Sequence, residues 1–211
     1  MTTRGAHDPD GSEAHGGARS AGFWYAWWRG DSLPPLDPLP NFTVERIDDG
    51  ERLARVTGLD SAAVASWLRG GSNHAYVGFV GEAPATWGWS AEGEVSISEI
   101  GRTFTLPPGN RYLWGFATHP AWRGRGLYPR LLQAVVEIER GDAERFWIGR
   151  APGNDASERG ILKAGFARIV EFVVPDDGSL GLVARGPAGR ARAAAAVVGL
   201  PLLGGDTESS Q

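Results

Sequence analysis

The chain has 211 residues, 42% of them hydrophobic, which is enough for one globular domain with tails and excludes a wholly disordered protein. With 21 basic against 25 acidic residues the formal charge is -4, so there is no general basic field to hold a polyanion, and nucleic acid is not the expected partner. Cysteine is absent, which removes thiol nucleophiles and disulfide scaffolds, and the four histidines (His7, His15, His74, His119) lack metal-ligand spacing, so no metal is expected. Lys163 is the only lysine among the basic residues, a bias that reads as genome composition. No segment approaches the run of about 18 apolar residues of a membrane span, and the first residues lack the apolar run of a signal peptide. The expectation is a cytoplasmic protein without a membrane partner.

Residues 1–22 are Gly, Ala, Ser and charge without periodicity and read as a disordered tail. Residues 23–41 form an aromatic and proline-rich arm, Phe23-Trp24-Tyr25-Ala26-Trp27-Trp28 followed by Leu33-Pro34-Pro35-Leu36-Asp37-Pro38-Leu39-Pro40. Such an arm covers apolar surface of its own domain; a lid on a substrate pocket or a homodimer contact are the alternatives. From residue 42 the pattern is regular: a strand at 42–47, two short helices at 48–57 and 60–68 with Asp60 as an N-cap, and a hairpin of strands at 74–80 and 85–90. Residues 95–100 alternate as a strand, and a turn-rich stretch leads to a strand at 111–119 that is apolar on both faces and therefore central. Leu127, Leu131, Leu132, Val135, Val136 and Ile138 share one face of a helix. A strand at 145–149, a helix at 154–164, strands at 167–174 and 180–184, and an Ala-rich docked helix at 190–198 complete the order. The domain is assigned to 42–185, with 186–211 as a C-terminal extension.

The informative segment is Phe116-Ala117-Thr118-His119-Pro120-Ala121-Trp122-Arg123-Gly124-Arg125-Gly126-Leu127-Tyr128. It places glycines and arginines between a buried strand and an amphipathic helix, where unpaired helical N–H groups and the helix dipole favour an anion. Arg123 and Arg125 can add charge-assisted hydrogen bonds. The spacing fits neither Gly-x-Gly-x-x-Gly nor a P-loop, and by itself it is compatible with a phosphate cradle or a structural turn.

These residues resemble the cofactor motif of the GNAT superfamily of acyl-CoA N-acyltransferases, Arg/Gln-x-x-Gly-x-Gly/Ala, with Tyr128 where the family usually has Gly or Ala. A second stretch, from Asn154 through Ser157 and Lys163 to Gly165-Phe166, is similar to the family's Asn-x-x-Ser/Ala-x-x-x-x-x-Lys-x-Gly-Phe helix. The resemblance covers about residues 42–184. It implies a mixed α/β (α+β) GNAT-like fold, a central sheet of about six or seven strands flanked by about four helices. It also implies acetyl-CoA or another acyl-CoA as co-substrate. Its pyrophosphate would lie on the backbone of Arg123, Gly124, Arg125, Gly126, Leu127 and Tyr128. Its pantetheine would pair along Phe116, Ala117 and Thr118, with Asn154 and Ser157 facing it. The partner would be a small-molecule or peptide amine acceptor.

Acyl transfer needs a base for the amine, donors for the oxyanion and a proton for the thiolate. Glu99 is the candidate base, His119 the second, and strand N–H groups around Ala117 and Thr118 are the oxyanion donors. Many relatives carry a Tyr acid two residues before the motif Lys, and here that position is Ile161. Ser157, Tyr128 or water would have to substitute. The alternative is a catalytically weak or inactive CoA-binding sensor or interaction module. Trp87, Trp89, Trp114 and Trp122 lie near the expected site, and two or more of them in an acceptor cleft would favour a flat, hydrophobic amine.

Overall fold

The computed structural model describes residues 18–97 and 100–204. Eight strands form one sheet in the order β10-β9-β1-β8-β7-β4-β3-β2: β1 (Arg19–Trp28), β2 (Phe42–Arg46), β3 (Asn73–Val80), β4 (Ala83–Ala91), β7 (Asn110–Thr118), β8 (Arg145–Arg150), β9 (Ala167–Val174) and β10 (Gly181–Ala184). A separate hairpin, β5 (Glu94–Ile97) and β6 (Arg102–Thr105), packs beside it. The helices are α1 (Gly50–Thr57), α2 (Ser61–Leu68), α3 (Leu127–Glu139), α4 (Asp155–Lys163) and α5 (Ala188–Val198). The mixed α/β sheet and flanking helices follow the expected plan, with one more sheet strand and one more helix than the upper expectation. Among the described residues no helix is long and apolar enough to cross a membrane.

The extra strand comes from the aromatic arm. Residues 19–28 do not lie over the domain; they run through its middle as β1, antiparallel to β8 on one side and β9 on the other. Trp24 and Ala26 join the cluster packed with α5, while Tyr25 and Trp27 join the cluster under α3 and α4. A strand buried on both faces carries aromatics at successive positions, so its sequence shows a dense cluster and no alternation. The expected tail therefore ends earlier than residue 22; residues 1–17 lie outside the described residues. The indoles that suggested a lid or a homodimer contact are interior. The proline-rich half does act as a cover: residues 33–40 cross the outer face of α3, where Gln133 donates to the Pro34 carbonyl (2.8 Å) and Arg130 to the Asp37 carbonyl.

Asp49 and Asp60 cap α1 and α2 through their carboxylates, each accepting first-turn amides. α3 buries Leu127, Leu131, Leu132, Val135 and Val136, as its periodicity demands. Ile138, expected on that face, is 50% exposed, and the next inward position belongs to Glu139. Its Oε1 accepts from Tyr76 Oη (2.7 Å) and faces His74 Nδ1 (3.3 Å); its Oε2 accepts from Arg111 Nε (2.7 Å) and Ser90 Oγ (3.1 Å). Burial opposes ionisation of Glu139, but the hydrogen bonds from His74, Tyr76, Arg111 and Ser90 outweigh it and hold its pKa below the usual carboxylate range. Burial, and then the Glu139 charge, push the Tyr76 phenol upward.

Replacing Glu139 by Ala leaves the buried Arg111 with Glu92 as its carboxylate partner (2.8 Å) and takes the acceptor from Tyr76 and Ser90, and the expected loss is about 2–4 kcal/mol in urea denaturation. Because its folded-state pKa is depressed, the Glu139 contribution is complete above about pH 4.3 and disappears as pH falls through the folded value. Acid titration of stability is therefore expected to be steeper in the parent chain than in Glu139→Gln.

Candidate cofactor groove and acceptor cleft

The site is created by a break in the sheet. β7 pairs in parallel with β8 from Asn110 opposite Arg145 to Leu113 opposite Ile148, and no further. Beyond that point β7 stays with β4 and β8 stays with β1. A β-bulge marks the departure: the β4–β7 register shifts between Trp87 and Trp89, and Gly115 takes a φ of 64°. The bulge lays the Phe116 ring over Gly88, where a Cβ would come within 2.4 Å of it.

On the α3 side of this opening lies a groove of about 680 Å³ lined by residues 116–118, the turn into α3 and the inner face of α4. Gly124 and Gly126 take φ values of 76° and 69°, a left-handed conformation that glycine adopts without strain. No side chain caps α3, and Pro129 brings no N–H to its first turn. Among the described residues no protein acceptor meets the amides of 124–128. The lining carries Arg123, Arg159 and Lys163 and no carboxylate, in a chain whose net charge is -4. Unpaired amides, a helix dipole and three cations fit a diphosphate.

Of the residues expected to hold the cofactor, Phe116, Ala117, Thr118, Arg123, Gly124, Gly126, Leu127, Tyr128, Asn154 and Ser157 all line this groove. Arg125 does not; its guanidinium lies over the Trp122 ring, 4.7 Å from the centroid. Asn154 is also the N-cap of α4, its Oδ1 accepting from the Ser157 amide at 3.1 Å. Arg123 Nε donates to the Thr118 carbonyl at 3.1 Å, tying the turn to the end of β7. Arg159 and Lys163 add two cations to the groove beyond the expected residues, and their i,i+4 spacing on the amphipathic α4 puts them on one face.

Tyr128 does not project into solvent. Its ring packs 5.6 Å from Phe116 and lies on Gly160, where a Cβ would come within 2.4 Å; its hydroxyl is 3.4 Å from Ser157 Oγ. Burial pushes the phenol up to about 12. Ile161, in the family's Tyr position, is buried in the core under α3 and α4.

The other catalytic candidates divide. His119 is exposed, caps the 3-10 turn that follows β7 and does not line the groove. Glu99 lies outside the described residues. On the opposite face of the sheet, at the same opening, a cavity of about 490 Å³ is bounded by Trp67 of α2, the β5–β6 hairpin, and Tyr112, Trp114, Gly115 and Gly149. Trp67, Trp89 and Trp114 pack with ring centroids 5.3 Å apart, but Trp89 is buried and only Trp67 and Trp114 face the cavity. Trp87 packs with the α1–α2 core, and Trp122 belongs to the groove.

Solved structures to which the chain is similar include an aminoglycoside acetyltransferase from an uncultured soil metagenomic sample in complex with trehalose (15% identity, 59% of this chain and 87% of that chain, TM-score 0.45). A GCN5-related N-acetyltransferase from Kribbella flavida aligns at 17% identity over 72% of this chain and 56% of that one, with a TM-score of 0.49. A ribosomal-protein-alanine N-acetyltransferase from Brucella melitensis biovar Abortus 2308 aligns at 10% identity over 60% and 92%, with a TM-score of 0.45. No curated protein sequence matches the chain. The profile of the Acetyltransferase (GNAT) family matches residues 39–166, a span from before β2 to Phe166 that contains the bulged strand, the α3 turn and α4, and the chain belongs to the GNAT acetyltransferase family.

Proposed function

We propose that the chain transfers an acyl group, acetyl in the simplest case, from acyl-CoA to an amine by direct attack in a ternary complex. The observation that carries this reading is the set of unpartnered amides at the start of α3, opening on a groove that leads along β7 to the gap in the sheet. The amides of residues 124–128 receive the diphosphate, with charge from Arg123, Arg159 and Lys163. The free edge of residues 116–118 pairs with the pantetheine amides and delivers the thioester to the opening between β7 and β8.

The acceptor enters through the cavity on the other face. The amine nitrogen attacks the thioester carbon; the C–N bond forms as the C–S bond breaks. Glu99 takes the amine proton, strand N–H groups around Ala117 and Thr118 meet the developing oxyanion, and the thiolate leaves protonated from the Tyr128–Ser157 pair. A phenol is protonated at neutral pH with or without the shift that burial imposes. Trp67 and Trp114 favour a flat apolar body on the acceptor, and exposed Glu94 at the rim attracts its ammonium. Use of acyl-CoA fits a cytoplasmic protein. Ile161 motivates a second reading, a CoA-binding module without turnover, because no phenol comes from α4 at that position.

Calorimetry with CoA and with pantetheine tests the groove. CoA is expected to bind and pantetheine, lacking the diphosphate, to bind at least about 100-fold more weakly; charge-assisted hydrogen bonds are worth about 1.5–3 kcal/mol each. The double variant Arg159→Ala, Lys163→Ala is expected to lose about 10- to 100-fold in CoA affinity and to show a flatter salt dependence. Equal affinity for CoA and pantetheine contradicts the assignment.

Thiol release from acetyl-CoA across an amine panel tests turnover. Glu99→Gln is expected to lower the rate about 10²- to 10⁴-fold and Tyr128→Phe about 10²-fold. CoA binding without thiol release on any amine selects the non-catalytic reading.

A further inference from the structure

Beside the acceptor cavity, and sharing its Tyr112 and Gly149 walls, is a second and much smaller chamber of about 40 Å³. It is walled by Trp24 and Phe23 of β1, Phe172 of β9, and Ile97 and Ile100. None of its lining residues is exposed, whereas the larger cavity has exposed Glu94, Ser96 and Gly115 at its edge. Trp24 is 1% exposed, and among the described residues its indole N–H has no hydrogen-bond partner. That N–H faces the junction of the two cavities: a Cβ on Gly149 would lie 3.4 Å from Trp24 Nε1 and 3.2 Å from Tyr112 Oη. A buried donor without a partner is costly, so its retention asks for a ligand atom. The absence of a side chain at Gly149 keeps the way to it open.

We propose that this chamber receives the outer part of the acyl chain on the donor, and that the chain carries an oxygen that accepts from the Trp24 indole N–H. The inference rests on the acyl-CoA reading of the groove. Gly149 is the first β8 residue past the last β7–β8 pair, so a thioester delivered through the gap arrives at the mouth of the chamber. The acceptor must come and go through solvent, which suits the cavity with the exposed edge. The chamber suits a group carried in on the thioester. Its volume corresponds to about three water-sized groups, two carbons and an oxygen beyond acetyl. A carboxylated chain is disfavoured: Arg150, the cation at the wall, spends its guanidinium on the Tyr25 hydroxyl, the Ala151 carbonyl and Glu158. A plain alkyl chain would leave the indole N–H unpaired. A short hydroxy- or oxo-acyl chain satisfies both conditions.

Calorimetric titration of the full chain with CoA, acetyl-CoA, butyryl-CoA and 3-hydroxybutyryl-CoA tests this. Butyryl-CoA is expected to bind about tenfold more tightly than acetyl-CoA, from two more buried methylenes. 3-Hydroxybutyryl-CoA is expected to gain about another three- to tenfold. Trp24→Phe removes the second step and keeps the first; Gly149→Ala brings both ratios toward one. Should Trp24→Phe fail to fold, the parent ladder and Gly149→Ala decide alone. Binding of all four ligands within about threefold overturns the inference and leaves the groove assignment standing. No binding of CoA itself overturns both.

Discussion

A backbone amide with no partner inside the protein has to find one outside it. Here several such amides stand together at the start of α3, where Gly126 in a left-handed conformation opens the helix without a capping side chain. Everything else about the site follows from where that helix start is held. Residues 119–126 connect it to the end of β7, and the bond from Arg123 to the Thr118 carbonyl pins the turn to the strand proposed to carry the pantetheine. On the proposed reading, the turn that receives the diphosphate thus also sets the distance to the reacting carbon.

That distance is useful only because the sheet is open there. Gly115 bulges β7 away from β8, and each strand keeps a partner on its other side, so the gap costs few unpaired backbone groups. β1 is central to this. Inserted between β8 and β9, it holds β8 in place after β7 has left, and it supplies the Trp24 and Tyr25 faces to the cores above and below. At the far end of β7, Arg111 bonds to Glu139 of α3 and so fixes the strand to the helix at the end opposite the gap. The strand is clamped at its start and parts from β8 after Leu113.

Much of this was legible in the residues. The Arg123-Gly124-Arg125-Gly126 turn after an apolar strand, and the Asn154 to Phe166 helix, carry local signals of glycine, charge and period that survive folding unchanged. Positions that depend on distant partners were not legible. β1 reads as an aromatic arm because burial on both faces erases alternation. β6, Arg102–Thr105, has the polar composition of a turn and becomes a strand only by pairing with β5. Glu139 interrupts an apolar stripe, and nothing within α3 announces that Tyr76, Ser90 and Arg111 wait for it. In the groove, the departure at Tyr128 is matched by Gly160 across the way, a pairing between two helices that neither motif displays.

Chemical shifts of the backbone amides during titration with CoA test the account at its centre. The account predicts saturable downfield shifts concentrated at Gly124, Arg125, Gly126, Leu127 and Tyr128, with pantetheine leaving those signals in place. Saturable CoA binding that leaves those amides unmoved, or that moves them no more than pantetheine does, would contradict it.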